Sequence, residues 1–236
     1  MRMRFGIALL VALFVLASGV WAGSVAVTVA DPSFESCSGG NPAGWTSWNA
    51  GCFSPSAGQF NQAVPNGSYV LWANLQNNPS LGGNGDDGFA YQVLASTLLS
   101  NTTYTLTIDV GMQATDTMGP GAIVELRAGT PTTGNTPGTG GLTGTTLLSE
   151  VLSNGSNGPT DGYFGVWTLT YDSGASNSNA GQPLEIYLSS STIQSDYDSV
   201  SLSYNADPPT SNPEPAMFAL VGAGLLGLVA RRRFAK

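Results

Sequence analysis

The middle of the chain consists of short segments in which apolar and polar residues alternate, separated by Gly, Asn, Pro and Ser clusters. Alternation with a period of two gives a β-strand one buried and one solvated face. The segments are Ser24–Val29, Ser68–Leu75, Gly88–Leu94, Thr103–Val110, Ala122–Ala128, Leu147–Leu152, Tyr163–Tyr171, Leu184–Ser189 and Asp198–Tyr204. Strands at this spacing predict an all-β domain, a two-sheet jelly-roll sandwich.

Two stretches allow other structures. Leu94–Leu99 is compatible with a short helical turn. Thr130–Gly144, rich in Gly, Thr and Pro, cannot bury a core and predicts a long mobile loop between two strands.

The charge distribution restricts the classes of partner. Only 9% of the residues are charged, and Arg127 is the one basic residue between Arg4 and Arg231. An acidic domain repels phosphate backbones, so we expect no nucleic-acid partner. It suits divalent cations or neutral glycans, although an acidic surface also simply keeps an exported protein soluble. The chain has no His, which removes the usual base of Ser and Cys hydrolases. We therefore expect a domain that is not an enzyme.

Cys37 and Cys52 are the only cysteines, and they flank a loop rich in Gly, Asn and Trp. Two cysteines this close in an exported protein usually pair, and closing such a loop contributes about 3 kcal/mol in the chain-entropy model. We predict a disulfide. A catalytic thiol, the alternative, has no His to activate it.

The N-terminus has the three parts of a secretory signal peptide. Arg2 and Arg4 precede a short apolar run, and a small residue, Ala22, stands at the expected cleavage point. Residues 1–22 are predicted to form a signal helix that is cleaved after Ala22, with Gly19 as the alternative site. A retained anchor helix is the other interpretation of this run, which is short for a membrane span.

The C-terminus combines a proline motif, a short apolar stretch and a basic cluster. The apolar stretch, residues 216–230, is predicted to form a C-terminal hydrophobic helix, although it is shorter than the roughly 20 residues a permanent span prefers. It lies between Pro213, Glu214 and Pro215 on one side and Arg231, Arg232 and Arg233 on the other. Arginines at this end are expected to stay in the cytoplasm, which places the domain outside. Residues 206–212 are predicted to form a stiff Pro-rich linker.

This tail, residues 213–236, resembles the PEP-CTERM sorting signal. The resemblance implies processing by an exosortase, a membrane transpeptidase of Gram-negative-type bacteria that make exopolysaccharide and biofilm matrix. The protein is then expected to be anchored in the inner membrane before processing, and to reach the cell surface or matrix afterwards. Such tails are also labelled as the C-terminal region of ice-binding proteins. This label describes the tail, and we infer no ice-binding activity from it. An ordinary C-terminal anchor is the alternative.

Several short sequence segments in residues 23–205 resemble those of galactose-binding-like jelly rolls, the superfamily of many carbohydrate-binding modules. These segments are Asp31–Glu35, Gly44-Trp45, Tyr91–Leu94, Thr103–Gly111 and Asp198–Leu202. In that fold the first and last strands are neighbours, and members often hold a structural calcium there. The resemblance thus implies a Ca²⁺ site at Asp31, Glu35 and Asp198, because hard oxygen ligands favour this ion. Alternatively these carboxylates cap turns or accept backbone N–H bonds.

Aromatic residues are the other candidates for binding, since sugar rings stack on aromatic faces. Trp45 and Trp167 are expected in the core. The candidate ligand-binding residues are Trp48, Trp72, Phe89 and Tyr91. Core packing is the alternative for each of them. Arg127 is expected to pair with Glu125 or to bond a sugar hydroxyl.

Together these features predict an exported envelope or matrix protein with a non-catalytic, carbohydrate-binding domain. A purely structural matrix protein is the alternative. An ice-binding protein with a flat Thr face fits less well, and so does a glycoside hydrolase. A hydrolase would need two carboxylates, and no motif brings together any two of Glu35, Glu125, Glu150 and Glu185.

Overall fold

The computed structural model describes residues 23–74, 88–114, 121–132, 141–152, 158–191 and 194–206. The predicted signal helix, residues 207–212 of the predicted Pro-rich linker and the hydrophobic helix of the tail lie outside these ranges. Ala206, which was assigned to the linker, is instead the last residue of the final strand. In the described part no helix has the length and hydropathy of a membrane span.

The described residues form thirteen strands and no helix, which confirms the all-β prediction. Their bounds are β1 Val25–Val27, β2 Cys37–Ser38, β3 Asn41–Pro42, β4 Thr46–Trp48, β5 Ala50–Phe53, β6 Val70–Ala73, β7 Gly88–Thr97, β8 Thr102–Gly111, β9 Ala122–Thr132, β10 Gly141–Leu152, β11 Phe164–Asp172, β12 Pro183–Ser190 and β13 Ser195–Ala206.

Two antiparallel sheets form the sandwich. The first sheet has the order β11-β8-β13-β6-β5, and β1 pairs with the C-terminal half of β13, Val25 opposite Tyr204. The second sheet has the order β10-β9-β12-β7-β4, and β2 and β3 form a small separate ribbon. The first and last strands are therefore neighbours, as the resemblance implied.

The core lies between the sheets and consists of the apolar positions of the alternating strands. Tyr104, Leu106 and Ile108 of β8 belong to the same core cluster as Ile186 and Leu188 of β12, and all five are at most 1% exposed. Burying such a side chain contributes about 1.5–3 kcal/mol. Since side chains of a strand alternate between faces, the residues between them lie on the outer faces of the two sheets.

One buried tyrosine links the sheets through its hydroxyl. Tyr197 of β13 is fully buried, and its hydroxyl donates to the backbone carbonyl of Ser189 in β12 and accepts the amide of Ile123 in β9. Burial raises the pKa of this phenol. The contact fixes the second sheet against the central strand of the first.

Several predicted boundaries differ from the structure. Leu94–Thr97 continues β7, so this stretch is not helical. The predicted loop 130–144 is shorter than expected, because β9 runs to Thr132 and β10 begins at Gly141; residues 133–140 lie outside the described ranges. The paired backbones supply the hydrogen bonds there, which composition alone could not indicate. The predicted disulfide between Cys37 and Cys52 is present.

Candidate functional site

The outer face of the second sheet carries a set of polar and aromatic side chains that we call the site face. Strand register builds it in rows. Glu125, Tyr187 and Tyr91 are directly opposite one another on β9, β12 and β7. The next row places Ser189 opposite Phe89, and Phe89 opposite Trp48. The row on the other side places Arg127 opposite Glu185, and Glu185 opposite Val93.

Three charged side chains meet on the site face. The Arg127 Nε lies 2.5 Å from Oε2 of Glu125, and its Nη1 lies 3.4 Å from Oε1 of Glu185. The Ser149 hydroxyl donates to the other oxygen of Glu125 at 3.0 Å. The expected pairing of Arg127 with Glu125 is therefore confirmed, and Glu185 joins it.

Aromatic rings continue the site face beside this ion cluster. The guanidinium carbon of Arg127 lies 3.5 Å from the ring centre of Tyr187, which is a cation–π contact. Phe89 stacks on Tyr187 and on Tyr91, with ring centres 5.6 and 6.0 Å apart. Three rings thus form one continuous aromatic surface.

The site face is buried at its centre and open at its rim. Glu185 is 0% exposed, whereas Trp48 and Val93 at the rim are 37% and 36% exposed. Burial raises the pKa of the Tyr187 phenol, and the charge of Arg127 opposes this shift. A buried cluster of carboxylates and aromatic rings with a perturbed phenol is typical of a functional site.

The structure brings together three of the four predicted ligand-binding aromatics. Trp48, Phe89 and Tyr91 share the site face, whereas Trp72 lies on the outer face of the first sheet, opposite Gly51 and Asp196. Their role in binding stays a prediction. Trp45 is 7% exposed and Trp167 packs against the core, as expected.

Sequence reasoning did not identify Tyr187, and it named Glu185 only among four carboxylates considered for a hydrolase. Their only signal was a short alternating segment, Leu184–Ser189, which predicted a strand with one polar face. Only the pairing of β12 with β9 and β7 shows which residues they meet.

The three predicted calcium ligands do not all converge. Glu35 accepts the amides of Ser68 and Tyr69 at 2.8 Å, and Asp198 accepts the amide of Asn66 at 2.8 Å. Asp31 instead accepts the amide of Ser36. Two of the carboxylates therefore anchor one loop, the role that was the alternative to metal binding.

The environment of Asp198 is acidic. Burial raises its pKa to about 7, and the neighbouring charges of Asp109 and Glu35 add to this rise. Among the described residues no group of three or more acidic or cysteine side chains has the arrangement of a metal site. Calcium binding stays a prediction.

Comparison with known proteins gives two matches along the chain. The HpiC1-like family, described as HpiC1 cyclase, matches residues 25–203, and the PEP-CTERM protein-sorting motif matches residues 213–233. The second match confirms the resemblance of the tail to this sorting signal. The motif signals export, anchoring in the membrane and processing by an exosortase. None of the curated proteins compared with the chain matches it.

Two solved structures of cyclases share the fold of this chain. The Stig cyclase FisC from Fischerella sp. TAU, in complex with (3Z)-3-(1-methyl-2-pyrrolidinylidene)-3H-indole, is 21% identical, covers 79% of this chain and 100% of its own, and has a TM-score of 0.61. A cyclase from the same organism is 20% identical with the same coverage and a TM-score of 0.62. The CBM22-1–GH10 modules of the Clostridium thermocellum xylanase 10B are 13% identical, cover 79% of this chain and 30% of their own, and have a TM-score of 0.43.

The expectation that the domain is not an enzyme is wrong, because the matched family is one of cyclases and the match spans the whole sandwich. The missing His led to that expectation. Its absence excludes imidazole, but a carboxyl group such as that of Glu185 can also transfer protons. The chain, matched over residues 25–203, belongs to the HpiC1-like cyclase family.

Proposed function

We propose that this protein is an exported cyclase-type enzyme whose reaction takes place on the site face. The observation that carries the proposal is the meeting of two carboxyl groups, one guanidinium and three stacked rings on one face of a domain from a cyclase family. The proline motif and the tail then determine where the enzyme is delivered.

The residues of the site face suit ring closure by proton transfer. In such an isomerisation a proton adds to one carbon of an alkene, a carbon–carbon bond forms at the resulting cationic centre, and another carbon loses a proton. No oxidant or reductant is required, and the mass of the substrate does not change. Glu185 is the candidate to give or take the proton, because it is buried beside the rings.

The aromatic surface suits a substrate with an apolar, aromatic body. Phe89, Tyr91 and Tyr187 offer stacked ring faces, and each of the two tyrosines adds one hydroxyl group. The related FisC structure contains an indole-bearing heterocycle, which supports the same class. We propose an alkene attached to an aromatic nitrogen heterocycle as the substrate.

Product analysis with the full-length protein tests this function. Indole-bearing alkenes are incubated with the protein, and chromatography with mass spectrometry detects a new compound of unchanged mass. We expect Glu185→Gln to abolish the conversion and Glu150→Gln, a matched loss of one charge elsewhere in the second sheet, to retain it. Equal conversion by both variants would contradict the proposed role of Glu185. No conversion of any such alkene by the wild-type protein would contradict the cyclase assignment.

Glycan binding is a second candidate function, supported by one observation. Trp48 stands at the rim of the site face with 37% of its surface exposed, where a sugar ring can stack on it. Retention of the protein on matrix polysaccharide, reduced by Trp48→Ala, is the expected result. If the wild-type protein is not retained by any polysaccharide, the proposal of glycan binding fails.

A further inference from the structure

We propose that the disulfide between Cys37 and Cys52 is a redox-dependent clamp on the rim of the site face. Oxidation of the two thiols fixes strand β4 and the Trp48 side chain that it carries, and reduction releases both while the rest of the sandwich stays folded. The proposal concerns the regulation of the site on which the proposed function depends. Its test measures local structure, so that it can fail or succeed separately from catalysis.

The first argument is the position of the linked segment, residues 37–53, at the edge of both sheets. Strand β4 ends the second sheet, and β5, which contains Cys52, ends the first. Asn49 is the single residue between these two strands, and it has a left-handed φ of +45°, which is uncommon outside glycine. A constraint placed on β5 therefore acts on β4 through one tight turn.

The second argument is the small extent of strand pairing in this segment. Strand β4 pairs with β7 over three residues, β5 pairs with β6 over four, and β2 pairs with β3 over two. In contrast, β11 pairs with β8 along all nine of its residues. Segments with few hydrogen bonds and contacts open at a lower free energy than the core strands. These short strands therefore depend on a further constraint to stay ordered.

The third argument is the contact that the disulfide closes. The amide of Cys52, a residue that is 6% exposed, donates to the carbonyl of Gly40 at 2.8 Å. A Cβ added at Gly51 would lie 2.3 Å from the same carbonyl oxygen, so β5 and the turn between β2 and β3 lie backbone against backbone. The disulfide joins the same two elements, since Cys37 belongs to β2. Reduction removes the covalent part of this contact.

The fourth argument is what β4 contributes to the site face. Trp48 is directly opposite Phe89, and the two side chains are 37% and 3% exposed. When β4 separates from β7, Trp48 leaves the rim and Phe89 loses its cross-strand neighbour. The state of the disulfide therefore determines whether the rim is complete.

The fifth argument is the change of redox conditions during export, which the sorting motif signals. Thiols are kept reduced in the cytoplasm, and disulfides persist outside it. One thiolate attacks a disulfide of an oxidised partner, and the second thiolate then displaces that partner. Cys37 and Cys52 together lose two electrons and two protons, which reduce the disulfide of the partner to two thiols. The rim is therefore completed only after export.

Hydrogen–deuterium exchange of the full-length protein, followed by mass spectrometry, tests the inference. The oxidised protein is compared with the protein kept in dithiothreitol, and thiol titration verifies that both cysteines are reduced. We expect exchange to become roughly tenfold faster or more in peptides that cover residues 43–53. Peptides from β8 and β12 should exchange at the same rate in both states.

Two variants serve as controls. The double variant Cys37→Ala with Cys52→Ala should exchange like the reduced protein and should not respond to dithiothreitol. Reduction should also increase acrylamide quenching of tryptophan fluorescence in the wild-type protein, and it should do so less in Trp48→Phe.

Unchanged exchange of residues 43–53 in the reduced wild-type protein would overturn the inference, and so would an equal increase in all strands. Local opening in a protein that converts no alkene would leave the inference intact and count against the cyclase function alone.

Discussion

Replacing Arg127 by methionine tests whether the ion cluster of the site face is a buried network. Methionine keeps a long unbranched side chain and removes the guanidinium. The substitution removes the guanidinium that joins Glu125 on β9 to its diagonal neighbour Glu185 on β12.

The structure sets the size of the effect. Removing one partner of a buried ion pair costs about 3–5 kcal/mol, and the side-chain exposures of 21% for Arg127 and 14% for Glu125 place this case near the lower limit. Loss of the contact with Tyr187 adds about 1 kcal/mol. The sum, about 4 kcal/mol, corresponds to a drop in Tm of roughly 8–16 °C for a domain of this size.

Thermal melting of Arg127→Met, Glu185→Gln and the double variant provides the assay. We expect Glu185→Gln alone to leave Tm unchanged or raise it, since it removes a buried carboxylate while Arg127 keeps its pairing with Glu125. The double variant should be more stable than Arg127→Met, with a coupling of about 1–3 kcal/mol. A drop in Tm of less than about 2 °C for Arg127→Met would mean that the ion pairs of Arg127 with Glu125 and Glu185 behave as solvated surface pairs. If the stability change of the double variant equals the sum of the changes of the two single variants, Arg127 and Glu185 are not coupled, which would equally refute the reasoning.

Three further changes test the fold. Tyr197→Phe removes the hydroxyl that links the sheets and should cost about 1–3 kcal/mol, measured by urea unfolding, whereas the same change at an exposed tyrosine should have little effect. Asp198 has a folded pKa of about 7 against an ordinary value of 3.8, so its contribution to stability is present below pH 3.8 and is lost as the pH rises towards 7. Melting without calcium should therefore show Tm falling from pH 4 to pH 8. Calcium should raise Tm at pH 8, and Asp198→Asn should remove both the pH dependence and the calcium effect. Gly67→Ala would place a Cβ 2.2 Å from the carboxyl carbon of Glu35 at φ +70°, and should lower Tm more than Gly174→Ala, where φ is +64° and nothing lies within 4 Å.

The sequence predicted the fold wherever alternation was strong. Thr103–Val110 alternates without interruption, and in the structure Tyr104, Leu106 and Ile108 face the core while the threonines between them face outward. Strands β2 to β5 were missed because they are two to four residues long and lie in a segment, residues 37–53, that is rich in Gly, Asn and Ser. Their formation depends on the disulfide and on pairing with distant strands, which a local pattern does not contain.

The site was less predictable than the fold, for a physical reason. Arg127 and Glu185 are 58 positions apart and meet only because β12 lies between β9 and β7. No motif links them, so the sequence could supply only the pairing of Arg127 with its near neighbour Glu125. The aromatic residues that were selected, Trp48, Phe89 and Tyr91, share a face through cross-strand register rather than through proximity in sequence.

The position of the last strand has a consequence for the order of events in the cell. Residues 195–206 are the last part of the domain to be synthesised, yet they pair with β1, β6 and β8 in the centre of the first sheet. The first sheet therefore cannot be completed before the end of the domain has been synthesised. Long-range pairing of this kind is slow to form. We expect the domain to reach its folded state only after that point, which leaves time for export of the unfolded chain.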